Sequence, residues 1–192
     1  TLSLEFPKRS FFYSENHQYT GQWHIIPIGI HAACIAETET PIQFLTAQDM
    51  KGSLHRRAPF SHKGSFGHAM LVAGSRGMLG AAIMAARACL RSGTGLLTTH
   101  VPAAGYPVVQ GAVPESLFTI DPGENRWTEW CGSPKYSAIG IGPGIGTHPD
   151  TLHAFETALK QAAVPLLLDA DALNLLAAHP GLWDLVPQNT IL

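Results

Sequence analysis

From residue 63 onward the chain reads as short apolar runs alternating with longer stretches of helical period. Residues 68–73 form an uninterrupted apolar strand. Residues 81–92 form an alanine-rich helix, which Gly93 can stop. Further strands are predicted at 95–101, 116–120 and 136–141. Residues 148–163 carry Leu152, Phe155, Leu159 and Ala162 at three- and four-residue spacing, an amphipathic helix with Thr147 and Asp150 as its capping pair. A buried strand is predicted at 165–169, a short helix at 171–178 and an irregular turn at 181–186. Strands apolar on both faces, alternating with helices, predict an α/β fold with a mostly parallel sheet covered on both sides.

The first third of the chain follows other rules. Leu2, Leu4 and Phe6 alternate with Ser3 and Glu5, the period of a half-buried strand. Residues 22–29 predict a second strand, at an edge or ending near Pro27, because proline has no N–H for a central ladder. Two strands and a loop bury too little surface to fold alone, so residues 1–31 are expected to belong to a larger body. Residues 32–44 show no period and read as a linker. Thr46 and Asp49 fit a helix start. His55, Arg56 and Arg57 make a small basic patch, read as a solvated loop. Thr1 opens inside a strand-like run and 189–192 reads as a strand beginning, so both ends look cut.

Composition narrows the function classes. The 192 residues are 45% hydrophobic and only 14% charged, with a formal net charge of −2. That balance disfavours nucleic acid as a partner, since phosphate backbones call for basic surfaces. No run approaches the roughly 18 apolar residues of a membrane span. Cys34, Cys89 and Cys131 are odd in number and lack a CxxC pair, which leaves them as small buried thiols of a reducing compartment. The ten histidines show no metal-ligand spacing.

Three constellations carry possible chemistry. Gly74-Ser75-Arg76-Gly77-Met78-Leu79-Gly80-Ala81 joins a strand to a helix, where glycines and free amides can meet an anion. It is neither a dinucleotide fingerprint nor a Walker loop, and a tight turn explains it equally well. Gly140-Ile-Gly142-Pro143-Gly144-Ile-Gly146 packs four glycines into seven residues before a capped helix, more than a turn requires. Asp169, Asp171 and Asn174 follow the last predicted strand; the acids could orient Mg²⁺ or accept from ribose hydroxyls, or Asp171 could simply cap its helix. Lys63, beside Gly64 and Gly67 ahead of the first strand of this region, either meets an anion or lies in a surface loop. The three strand-end constellations would converge on one edge of one parallel sheet.

Taken together, Lys63-Gly-Ser-Phe-Gly67, Gly74-Ser75 with Gly80-Ala81, Arg91-Ser-Gly93-Thr-Gly95, Val113-Pro-Glu115, Gly142-Pro-Gly144-Ile-Gly146 and Asp169-Ala-Asp171-Ala-Leu-Asn174 resemble the NAD(P)H-hydrate dehydratase family in order and spacing across 45–192. The resemblance implies a ribokinase-like three-layer α/β/α fold, incomplete at its C-terminus. It implies dehydration of (6S)-NAD(P)H hydrate driven by ADP or ATP with Mg²⁺. Residues 1–8 and 21–28 are similar to the closing strands of an NAD(P)H-hydrate epimerase domain, which implies an isomerase partner activity with K⁺. The domain reading is then 1–31 epimerase-like, 32–44 linker and 45–192 dehydratase. By the family pattern Ala81 and Gly144 would touch the hydrate, and Gly74, Ser75, Gly142, Gly146, Asp171 and Asn174 would line the same cleft. The family's catalytic Gly-Thr-Gly-Asp stretch is not within residues 1–192, so no catalytic residue is assigned and this segment alone is expected to be inactive. The implied setting is a cytoplasmic homo-oligomer acting on a small molecule, with neither nucleic acid nor membrane as partner and with Trp127, Trp130 and Trp183 in core or interface. A ribokinase-like small-molecule kinase and a non-catalytic nucleotide-binding module remain as alternatives.

Overall fold

The computed structural model describes residues 1–53, 57–132 and 135–192, in two compact units, Thr1–Arg56 and Arg57–Leu192. In the first unit, strands β1 (Leu2–Leu4) and β2 (His24–Ile26) pair in parallel with Leu2 opposite His24. β2 ends just before Pro27, where a ladder donor would be missing. Between them run two 3₁₀ turns and the single-turn helix α1 (His17–Thr20). The alternation of β1 is present but inverted: Ser3 is buried, donating its hydroxyl to the Phe6 carbonyl, while Leu2 and Leu4 face outward. The expected linker contains helix α2 (Ala32–Glu37). Helix α3 (Ala47–Ser53) starts as predicted, the Asp49 carboxylate accepting from the Thr46 N–H and hydroxyl.

The second unit is a five-stranded parallel sheet: β3 (His68–Val72), β4 (Leu96–Pro102), β5 (Leu117–Asp121), β6 (Ala138–Ile141) and β7 (Leu166–Leu168). The spatial order is β5-β4-β3-β6-β7, with all pairs parallel. Helices α4 (Leu79–Ser92) and α5 (Tyr106–Ala112) pack on one face, and α6 (Pro149–Gln161) and α7 (Asp171–Ala178) on the other. The side-chain alternation of β3 splits the core: Leu71 and Ala73 join Ala82, Ala86 and Val109, while Met70 and Val72 join Phe155, Leu159 and Leu175. This is the expected three-layer architecture.

Differences of detail have local causes. Helix α4 begins two residues before the predicted start, since Gly80 is accommodated inside it. Helix α5 went unpredicted because its seven residues include Pro107 and Gly111 and no cap. The 181–186 turn is a 3₁₀ helix, Pro180–Leu185. The cap of α6 is His148, whose ring accepts from the Asp150 N–H, rather than Thr147 with Asp150. At the chain's end Ile191 bridges Leu167 in parallel, as the strand-like pattern anticipates. Arg57 donates to the Gly93 carbonyl and lies over the Phe66 ring, while His55 and Arg56 of the basic patch lie outside the described residues. None of the cysteines is fully buried: Cys34 is exposed, and Cys89 and Cys131 are half-buried. Trp127 is core; Trp183 is 46% exposed.

Candidate functional site

Chain order reverses between β3 and β6: from β3 the chain proceeds outward through β4 and β5, then returns to β3's other side for β6 and β7. Loops leaving two such neighbours diverge to opposite faces and open a crevice at the carboxyl edge of the sheet. Both glycine loops lie there. The Gly74 N–H donates to the Pro143 carbonyl at 2.8 Å, and the buried Ser75 hydroxyl donates to the Gly144 carbonyl at 2.8 Å.

Two glycines are demanded by close approach. A Cβ on Gly144 (φ +70°) would stand 3.0 Å from the Ala81 Cβ and 2.9 Å from the Met78 carbonyl oxygen. On Gly142 (φ +140°) it would overlap the Asp169 carbonyl oxygen at 1.8 Å. The first contact brings the start of α4 against the β6 loop; the second brings the end of β7 against it. Ala81 and Gly144, 63 residues apart in the numbering, are thus neighbours.

Asp171 connects the third constellation. Its Oδ2 accepts from the Gly146 N–H at 2.8 Å and its Oδ1 from the Asn174 side-chain amide at 3.1 Å. It is the first residue of α7 and not its cap; Ala170 holds that position with φ +48° and no side-chain contribution. Asp171 therefore ties the β6 loop to α7. The structure brings Gly74, Ser75, Ala81, Gly142, Gly144, Gly146 and Asp171 to one edge, with Asn174 at its exposed margin. Among the described residues no group of three or more His, Cys, Asp or Glu is placed to hold a metal ion, and both Asp171 oxygens are occupied. The described residues alone therefore supply no complete ligand set for Mg²⁺, and Asp171 is already engaged by Gly146 and Asn174.

A cleft of about 360 Å³ opens beside the loops, lined by Ser75, Arg76, Asn125, Arg126, Gly146 and His148 among others. Ser75 and Gly146 were expected there. Arg76 sits inside the first glycine motif and His148 two residues beyond the second, as the cap of α6, whereas Asn125 and Arg126 belong to the loop after β5, which carries no motif and approaches only through the sheet's order.

Next to this edge lies a polar cluster that the sequence also hid. His100 on β4 places Nε2 3.1 Å from Asp121 Oδ2 and Nδ1 3.0 Å from the Thr119 hydroxyl and 3.2 Å from Cys131 Sγ. Burial alone lowers the imidazole's proton affinity. Hydrogen bonds to Asp121 and Cys131 outweigh it and push the pKa up to about 9. Burial likewise raises Asp121, but hydrogen bonds from His100, Thr128 and Gly123 hold it down at about 2.

Known proteins can be set beside this geometry. The family model for NAD(P)H-hydrate dehydratase matches residues 69–192. A bifunctional NAD(P)H-hydrate repair enzyme of Moorella thermoacetica is 32% identical over 195 residues, covering 92% of this chain and 35% of that one. The crystal structure of the ADP/ATP-dependent NAD(P)H-hydrate dehydratase of Bacillus subtilis, co-crystallised with ATP/Mg²⁺, superimposes with a TM-score of 0.61 at 32% identity, over 70% of this chain and 48% of that one. A ribokinase-like superfamily protein of Enterococcus faecalis, 22% identical, shares the fold with a TM-score of 0.60, over 74% of this chain and 52% of that one. The chain spans about a third of the length of the bifunctional relatives it matches.

Proposed function

This chain belongs to the NAD(P)H-hydrate dehydratase family, and on that premise we propose that it contributes the substrate-facing part of an ADP-dependent lyase that returns hydrated NAD(P)H to NAD(P)H. One observation carries the reading: in a chain matched to the family from residue 69, both glycine loops meet at the switch point, with Ala81 in contact range of Gly144.

The chemistry suits the site. Hydroxide is a poor leaving group, and transfer of a phosphoryl group from ADP to the hydrate's hydroxyl makes it a good one. Loss of phosphate and a ring proton then restores the double bond, leaving AMP and phosphate. Ala81 and Gly144 would present a flat, side-chain-poor surface to the nicotinamide ring. Gly74, Ser75, Gly142 and Gly146 would line the same cleft, and Asp171 with Asn174 would hold its far wall. Amides and a helix terminus at such an edge are suited to developing negative charge. ATP in place of ADP and Mg²⁺ on its phosphates belong to the same reading, as do a cytoplasmic setting, a homo-oligomer and a neighbouring epimerase activity with K⁺. In the domain assignment residues 1–31 close that epimerase domain, 32–44 link and 45–192 begin the dehydratase.

The test is turnover by the full-length protein. Mixed with NADPH hydrate and ADP, it is expected to regenerate reduced-nicotinamide absorbance with one phosphate released per NADPH. A phosphorylated product with no regenerated NADPH would point to a kinase, and nucleotide binding without turnover to a binding module; either overturns the reading.

A further inference from the structure

Two guanidinium groups and an imidazole line the cleft, Arg76, Arg126 and His148, which recognition of the hydrated ring alone does not use. Arg76 is exposed; its N–H donates to the Asn125 carbonyl at 2.8 Å and its Nη1 reaches the Asn125 side-chain oxygen at 3.4 Å. Arg126 places Nη1 2.8 Å from His148 Nε2 and 3.5 Å from Asp150 Oδ2. The same His148 caps α6, its Nδ1 facing the Asp150 N–H at 3.3 Å.

Those two contacts compete for one lone pair. A neutral imidazole has one N–H and one acceptor nitrogen, and an imidazolium has no acceptor. His148 meets a donor at each ring nitrogen, so at most one of the two contacts is a hydrogen bond. With the proton on Nδ1, Nε2 accepts from Arg126 and the Nδ1–H faces the Asp150 carboxylate at 3.2 Å, so the helix cap is exchanged for that contact. With the proton on Nε2, the cap survives and an N–H is pressed against the guanidinium. In that second state Arg126 and His148 are two donors with no acceptor between them. An anionic oxygen placed there accepts from both and preserves the cap. Asp150 Oδ2, 55% exposed, lies 3.5 Å from Arg126 and 3.2 Å from His148 Nδ1, so one carboxylate serves both groups, while among the described residues Arg76 is paired with the neutral Asn125 side chain and with no carboxylate.

We propose that Arg76, Arg126 and His148 form an anion subsite that holds a phosphate group of the dinucleotide substrate. This rests on the cleft being the hydrate site. Ser75 and Gly146 line both the loop junction and this cleft, so a phosphate tethered to a ring held at Ala81 and Gly144 lies along the same opening. Planar guanidinium groups match phosphate oxygens two at a time, which a lysine pair would not. A cavity of about 360 Å³ takes one portion of a dinucleotide rather than the whole. The phosphate has two sources in such a substrate, the 2′-phosphate that marks the NADP form and the diphosphate bridge common to both forms.

The test is equilibrium titration of the full-length protein with NADPH, NADH and ADP, in wild type, Arg76→Ala, Arg126→Ala and Arg126→Lys. Each alanine variant is expected to weaken NADPH binding about tenfold, the scale of a lost hydrogen bond to a charged group, with Arg126→Lys in between. If NADH binding is unchanged the 2′-phosphate is the ligand; if it falls equally the diphosphate is. Variants with a wild-type circular dichroism spectrum and wild-type NADPH affinity, or a loss confined to ADP, overturn the subsite while leaving the function reading intact. A wild-type protein that binds neither dinucleotide overturns both.

Discussion

Asp121 is fully buried, and its two oxygens accept from His100, the Thr128 hydroxyl and the N–H groups of Gly123, Thr128 and Glu129. Removing one member of such a pair strands the other charge away from water. Asp121→Asn is therefore expected to cost about 3–5 kcal/mol, read from urea midpoints. The pH profile gives a second signature. Because His100 is raised to about 9, its contribution is complete below its ordinary 6.5 and disappears as pH climbs through 9. Because Asp121 is lowered to about 2, its contribution is complete above its ordinary 3.8 and disappears as pH falls through 2. Stability from this pair should form a plateau between 3.8 and 6.5 that the Asn variant lacks. A wild-type profile in the variant would show that the pair carries no such load. None of this was readable in the sequence. A histidine in one apolar strand and an aspartate ending the next look independent until the β4–β5 register sets His100 beside Thr119 and Pro102 beside Asp121.

At the scale of elements, period was the reliable guide. Apart from α5, strands and helices from β3 to α7 fall within a few residues of their predicted positions, because apolar runs and amphipathic stripes report directly on burial. Caps and short helices fared worse, since α5 and the cap of α6 depend on contacts that leave no periodic trace. The β7–α7 joint is one such place. Ala170 sits at φ +48° and ψ −115°, a conformation that costs a Cβ-bearing residue, and it is kept there by the crossing of Gly142 beneath Asp169 and the Asp171 bond to Gly146. Ala170→Gly should relieve that strain and stabilise the protein by about 1 kcal/mol, offset in part by glycine's unfolded-state entropy. A higher thermal midpoint is the expected result; a lower one would mean the Cβ contributes packing that outweighs the strain.

For the whole molecule the contrast between the two units matters. Among the described residues of Thr1–Arg56 only Ser3 is buried, and Leu2, Leu4, Tyr19, Phe44 and Leu45 are all exposed. The Arg57–Leu192 unit holds two apolar cores, one on each face of its sheet. Residues 57–192 expressed alone should keep a cooperative thermal transition, whereas residues 1–56 alone should show a largely unfolded far-ultraviolet dichroism spectrum. Cooperative melting of the isolated 1–56 segment would contradict this. The expectation that 1–31 needs a larger body came from counting strands; the inward-facing Ser3 adds that its apolar side chains point away from what little core it has.

The sequence alone determined the α/β class, the parallel sheet and the two glycine loops, because periodicity and glycine clustering are local signals of burial and turn geometry. It also singled out Gly74, Ser75, Ala81, Gly142, Gly144 and Gly146, which the fold brings to one edge of the sheet. Only the tertiary structure decided what surrounds them. Strand order brought Arg126 to the cleft that Arg76 and His148 also line, tied Asp171 to Gly146 as well as to Asn174 of its own helix, and sealed His100 against Asp121. Each of these joins residues far apart in the chain through sheet register and loop crossing, and neither leaves a mark on the local pattern.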